Sequence, residues 1–480
     1  MSRPKARPLA TSSWLLPIVF LAQAMPAQQA SPQAVGQSLQ TPLGTGSVAR
    51  ERAATREATT VLWVQYGDDL RRFREESDYL LDLQRRFRAK GLAVAVSMPP
   101  ASAKALAKEG IDLLIVALDQ GDGKAAYATS VTKGLTGPVR ARVPRLDGVL
   151  DIVERCLQGD AEQPNIDALY RSLDSLVMNV ADGGEFDPQI KACLEGLPHS
   201  GTAHACAVLN EWWCNGDLEA ARKATRRAID ALRGESLPMI RFADLVLRGD
   251  RNDRQVATDV LLGLEPAVGS SSTPLAQLIH LRALLMAGQD RRAGRIAAKL
   301  PKQLEGKPVL QLVFAETLME AAVPMVFRDA AEQAFAKAED KGADRQWLYG
   351  TRHKILKRCG DDKAAEELAV KYRATGNNSL NNDAWYLMVR PATLGRFNTI
   401  ALAQCEEMLR QEGANVDFNS VDTAALAFFL NGKIEEAVKM QTDVRKQGGT
   451  GTTYSARLRR YTESQALAKA QAAKDAAKKR

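Results

Sequence analysis

The chain has 480 residues, 45% of them hydrophobic and 25% charged, with 34 glycines and 20 prolines scattered along it. This composition excludes a chain disordered throughout, a collagen and a low-complexity array, and the length suits about three domains. The six cysteines include no C-x-x-C pair, which excludes a zinc ribbon and a dithiol redox centre of that form.

Residues 1–24 read as an export leader. Arg3, Lys5 and Arg7 precede the apolar run Trp14 to Leu21, and Ala22-Gln23-Ala24 offers a cleavage site. The run is too short for a hydrocarbon layer of roughly 30 Å, so no membrane span is expected after cleavage, with an uncleaved anchor as the alternative. Removing these three basic residues takes the net charge from +8 to +5. The remaining basic residues are dispersed, which speaks against nucleic acid as a partner. The expected location is the periplasm or cell envelope of a bacterium. Residues 25–57 are rich in Gln, Ser, Ala, Pro and Thr without apolar period, as in a disordered linker.

Residues 58–160 predict a small α/β domain. Thr59 to Tyr66 is a β-branched and aromatic strand. Asp68 to Lys90 carries Leu70, Phe73, Leu80, Leu83 and Phe87 at helical spacing and stops at Gly91. Leu92 to Met98 is a second strand, Ala101 to Glu109 a short helix and Ile111 to Leu118 a third strand. Residues 124 to 143 offer further strands, and Arg145 to Leu157 a closing helix. Strand and helix in alternation imply a parallel or mixed sheet.

The stretch from VLWVQY through AKGLAVAVSM to PPASAKALAKEG resembles the first half of exported, TlpA-like redoxins of the thioredoxin fold. Trp63 and Lys90-Gly91-Leu92 stand near where that resemblance places them. The chain departs from the family at its reactive point, because Gly67-Asp68-Asp69-Leu70 occupies the position of the C-x-x-C. A helix start lowers a cysteine pKa, whereas an aspartate there only caps the helix. The resemblance therefore implies a thiol-free copy, with Pro138 and Pro144 as unsupported candidates for its proline loop. Asp68, Asp69 and Asp119, with Ser130 and Lys133, also suggest a receiver-type acidic pocket, but Ser130 follows Asp119 too closely for that fold.

From Ala161 to 455 a turn signal recurs between helices, at positions 216, 249, 288, 323, 360, 395 and 432. The steps of 33, 39, 35, 37, 35 and 37 indicate stacked helical hairpins. The small residues and turn glycines resemble tetratricopeptide repeats, most clearly at 200–233, 345–373 and 380–445, with Pro324 replacing a turn glycine. That resemblance implies a solenoid with a groove that binds a protein or peptide. Residues 456–480 read as a basic Ala/Lys-rich terminal helix or tail, most simply solvated. The fold class is thus a thioredoxin-like α/β domain followed by an all-α repeat solenoid.

Chemistry-bearing candidates are few. Cys193, His199, His204, Cys206 and Cys214 match no common zinc spacing, and Cys193 with Cys206 is one candidate disulfide among several. His280 and His353 stand alone on helices. Trp212, Trp213, Trp347 and Trp385 suit core packing, and the sharper reading makes Trp212, Trp347, Trp385 and Tyr386 a binding groove. There is no nucleophile elbow, P-loop, HExxH or dinucleotide glycine pattern. The sequence therefore predicts a non-catalytic scaffold or adaptor with no catalytic residue, metal or cofactor and an envelope protein or peptide as partner. The rivals are an envelope enzyme with a dispersed or thiol site, and a structural component whose basic tail meets an acidic polymer.

Overall fold

A computed structural model describes residues 58–479 except 67–69, 99–101, 104–112, 118–127, 134–138, 145, 160–162, 183–186, 214, 216, 250–253, 271–272, 374–378, 391–392 and 414–415. The leader, the linker, Asp68, Asp69, Asp119, Pro138, Cys214 and most of the helix expected over Ala101 to Glu109 lie outside the described residues.

The N-terminal unit comprises β1 (Thr60–Gln65), α1 (Leu70–Phe87), β2 (Leu92–Met98), β3 (Leu114–Ala117), β4 (Ala128–Thr132), β5 (Val139–Val143) and α2 (Val149–Gln158). The sheet order is β3-β2-β1-β4-β5. β1 runs parallel to β2 and β2 to β3, whereas β4 is antiparallel to both β1 and β5. Both faces of β1 are buried, Leu62 and Val64 on one and Val61 and Trp63 on the other, which accounts for its unbroken apolar sequence. The Trp63 indole N–H donates to Thr132 Oγ1 at 3.1 Å, tying β1 to β4. The receiver-type alternative requires an all-parallel sheet, and here Ser130 sits on an antiparallel strand opposite Trp63.

Two helices, α3 (Gln163–Asp182) and α4 (Asp187–Gly196), lead into the repeats. Seven hairpins follow. They are α5 (Gly201–Trp213) with α6 (Leu218–Ala231), α7 (Ser236–Gly249) with α8 (Arg254–Ser270), and α9 (Pro274–Met286) with α10 (Asp290–Ala297) plus the short α11 (Leu300–Gln303). Next come α12 (Pro308–Leu318) with α13 (Arg328–Asp340), α14 (Arg345–Arg358) with α15 (Asp362–Arg373), α16 (Leu380–Val389) with α17 (Asn398–Glu412), and α18 (Phe418–Leu430) with α19 (Ile434–Lys446). The first helices of successive hairpins begin at 201, 236, 274, 308, 345, 380 and 418, in steps of 35, 38, 34, 37, 35 and 38. The turn glycines Gly288, Gly360 and Gly432 are left-handed, as a helix C-terminus favours.

The last helix, α20 (Thr452–Lys479), starts one further repeat step after α18 and stands where an eighth hairpin would begin. The tail expected from residue 456 therefore begins inside a helix whose first half is packed, with Arg457, Arg460 and Tyr461 buried. The helix lies against α19 and reaches α5, so the array curls back on its own first hairpin. Arg460 is held between the rings of Trp213, at 4.5 Å, and Phe429, at 4.4 Å. Across the array, the turn before α17 meets the end of α7, where Gly395 has φ of 68° and a Cβ would stand 2.1 Å from the Arg248 carbonyl oxygen. One hydrophobic core runs from the sheet through the hairpins.

Substituting Gly395→Ala should cost about 2–4 kcal/mol, from left-handed strain plus a clash with backbone. Urea unfolding monitored by circular dichroism measures it, and a loss below that range would show that the two turns do not meet.

Candidate functional site

The junction between the sheet unit and the first hairpins concentrates the buried titratable groups. Asp147 lies in the turn after β5, where the left-handed Gly148 brings the chain up against Leu197. Its Oδ1 accepts from the Gly201 amide at 2.8 Å, and its Oδ2 accepts from Ser200 Oγ at 3.0 Å and the Thr202 amide at 3.2 Å. Asp147 thus caps α5 from outside the helix, satisfying donors that a helix start leaves open. One turn along α2, Asp151 Oδ2 accepts from the His199 amide at 3.0 Å, and its Oδ1 faces His199 Nδ1 at 2.6 Å.

That hydrogen bond raises the His199 pKa above its ordinary value of 6.5, outweighing burial. His204 faces the Pro198 carbonyl at 2.8 Å, and its pKa is lowered by burial. On the α1 side, Arg86 bonds Glu235, whose carboxyl is raised above the usual range by burial. The buried Tyr79 hydroxyl is raised by burial and by the carboxylates Glu235, Asp151 and Asp147.

Beside this cluster a cleft of about 920 Å³ separates α1 from α6, α7 and α8. Its floor is apolar, with Ile229, Met239 and Pro266, and Leu262 stands 64% exposed at its mouth. Gly263 permits the close approach of α8 to Ile229 on α6, where a Cβ would come within 2.8 Å. Pro266 lies inside α8 and has no N–H, so the Leu262 carbonyl four residues earlier loses its helical donor. The rim mixes signs, with Asp78, Asp82 and Arg85 on α1 facing the pair Arg226–Asp259 at 3.2 Å.

Of the aromatic residues expected to line an open groove, one is buried and three are half-buried. Trp212 is buried in α5. Trp347 is half-buried, edge-on to Phe397 at 5.7 Å with the Arg396 guanidinium over its ring at 5.0 Å. Trp385 lies under Arg457 at 5.0 Å, and Tyr386 under Arg390 at 4.1 Å. The groove reading placed these four together as a free surface. Trp347, Trp385 and Tyr386 instead meet arginines of their own chain, and Trp212 is part of the core.

The Cys193 and Cys206 disulfide is not formed, and both side chains are buried. Cys193 Sγ lies 3.9 Å from the Leu169 carbonyl. His353 is buried against Thr399 Oγ1 at 3.1 Å, with its pKa lowered to about 4 by burial, and both ring nitrogens of His280 are buried without a hydrogen bond. Sequence reasoning picked out His199 but missed Asp147, Asp151 and Glu235. The signal was the i, i+4 spacing of two acids at a helix start, and nothing local says that they cap a different helix.

No family model and no curated protein matches the chain. Among solved structures, the tetratricopeptide-repeat domain of P58(IPK) is similar over 63% of this chain and 99% of its own, at 14% identity and a TM-score of 0.16. The helical-repeat architecture rests on the seven hairpins and their period of 34 to 38 residues.

Two predictions follow from the junction. Asp147→Ala should cost about 2–3 kcal/mol in urea unfolding, because it strips a cap and leaves buried donors open, and Asp147→Asn should recover part of that. A raised histidine pKa stabilises the fold fully below the ordinary value of 6.5, and the gain is lost as pH rises through the folded value. His199→Gln should therefore lower the melting temperature more at about pH 6 than at about pH 9. An equal deficit at both would remove the charge from the His199–Asp151 contact.

Proposed function

We propose that this protein is an exported, non-catalytic docking scaffold of the bacterial envelope, with a thioredoxin-like domain that lacks the C-x-x-C pair joined to a tetratricopeptide-like solenoid. The leader-like residues 1–24 support export to the periplasm or cell envelope. The central strands β2-β1-β4-β5, parallel at one pair and antiparallel at the other two, support the thioredoxin-like reading. A non-catalytic role is supported by the thiols: burial pushes Cys156 up to about 11 and raises Cys359 and Cys405, which disfavours the reactive thiolate.

The observation that carries the proposal is the junction cleft. It combines an apolar floor and an exposed Leu262 between two units, which is where binding sites commonly form. The partner is an envelope protein or peptide that presents apolar side chains.

A photo-crosslinking residue at 262, compared with one at the exposed Val370, tests this in envelope extract. Discrete adducts from 262 alone are expected, and equal labelling at both positions would remove the cleft as a docking surface. Insulin reduction by the mature chain should stay at buffer background, and a rate well above it would make the protein a thiol enzyme.

A further inference from the structure

Within the hairpin array, buried arginines outnumber the carboxylates that face them. The side chains of Arg248 on α7, Arg282 on α9 and Arg396 in the turn before α17 are only 4%, 2% and 9% exposed. Two carboxylates answer them. Asp244 meets Arg248 at 2.8 Å and Arg282 at 3.4 Å, and Glu316 of α12 meets Arg396 at 2.9 Å. Lys354 and Glu320 bond each other at 2.5 Å and add no net charge, while the half-buried Arg241 adds only to the positive side. Among the described residues, three buried guanidiniums therefore face two carboxylates.

These groups form one cluster. Gly395 packs against the Arg248 carbonyl, which brings Arg396 beside the end of α7. Thr317, the neighbour of Glu316, accepts from Arg282 at 3.3 Å. Burial pushes Arg248 down to about 9, and the charges of Arg396, Arg241 and Arg282 push the same way against Asp244. Donors are in excess as well, because the Nε–H of Arg282 and the Nε–H of Arg396 are both buried without an acceptor. A guanidinium keeps its charge, and an uncompensated charge in an interior is costly. Arg396 also stands just before the N-terminus of α17, where the helix dipole adds positive potential.

We infer that this cluster binds one small monovalent anion of the chloride class, with the Nε–H groups of Arg282 and Arg396 as its donors. One added negative charge balances three guanidiniums, whereas a divalent oxyanion would overshoot. Charge-assisted donors are the strong ones for such a ligand. Arg282 and Arg396 belong to the third and the sixth hairpins, so the anion ties together parts of the array that lie far apart along the chain.

Thermal unfolding of the purified chain, with sodium gluconate replaced stepwise by sodium chloride at constant ionic strength, tests it. The melting temperature should rise by a few degrees and level off as the site fills. Arg282→Gln balances the charges without an anion and leaves Asp244 its partner Arg248, so this variant should fold and lose most of the chloride response. Arg241→Gln changes a side chain outside the buried set and should keep it. A crystal of the parent grown in bromide supplies a readout that needs no variant, and its anomalous signal should place one ion within hydrogen-bond reach of Arg282 and Arg396.

A melting temperature indifferent to chloride would overturn the inference. So would an equal response in the parent and in Arg282→Gln, which leaves an adventitious ion only, or bromide bound solely elsewhere. Should Arg282→Gln fail to fold, the position of the bromide decides.

Discussion

Asp147 and Asp151 stand one helical turn apart at the edge of the sheet unit, and between them they hold the amides of His199, Gly201 and Thr202, the Ser200 hydroxyl and the His199 ring. These donors gather at the N-terminus of the first repeat helix, where the helix dipole favours negative charge. The contact sets the angle at which the sheet unit meets the hairpins, and that angle shapes the cleft between α1 and α6 to α8. Arg86 and Glu235 close the same junction from the other side. The cleft is thus a product of capping chemistry rather than of any one element.

Closure of the array is the second constraint. The inner ends of the hairpins bring charges together out of water. Asp244 meets Arg248 at 2.8 Å and Arg282 at 3.4 Å, and Arg396 meets Glu316 at 2.9 Å. Burial alone raises Asp244, yet Arg248, Arg396 and Arg282 hold it down to about 2. Burial likewise pushes Arg248 down to about 9. Such pairs add little net stability against an apolar alternative, but breaking one strands a charge in the interior. Asp244–Arg248 lies within α7 and Asp244–Arg282 joins α7 to α9, whereas Arg396–Glu316 ties the turn before α17 to α12.

Curvature changes what the repeats offer a partner. An open solenoid presents its concave face, whereas here Arg396 lies over Trp347, Arg457 lies over Trp385, and α20 packs against α19 and reaches α5. Among the described residues, the exposed large apolar side chains include Leu262 at the junction cleft and Val323, Met325 and Val326 at the fourth turn. Among the described cysteines Cys156, Cys193, Cys206 and Cys405 are buried and Cys359 is half-buried, and Asp147 and Asp151 are engaged as caps.

Much of this was legible in the sequence. The spacing of turn signals located seven hairpins, because six of the seven turn positions carry a glycine that ends a helix locally. The apolar runs of β1 and β2 located the buried strands for the same local reason. The sequence also located His199, though not its partner. Only the tertiary structure decided that two acids at the start of α2 cap α5, that Glu235 meets Arg86 across 149 residues, and that Arg460 fills the space beside Trp213. Helix starts and strands are local, set by neighbours three or four residues away. Caps between units, the closing of a ring and the cleft that results depend on how small rotations between hairpins accumulate, and no window of sequence holds that sum.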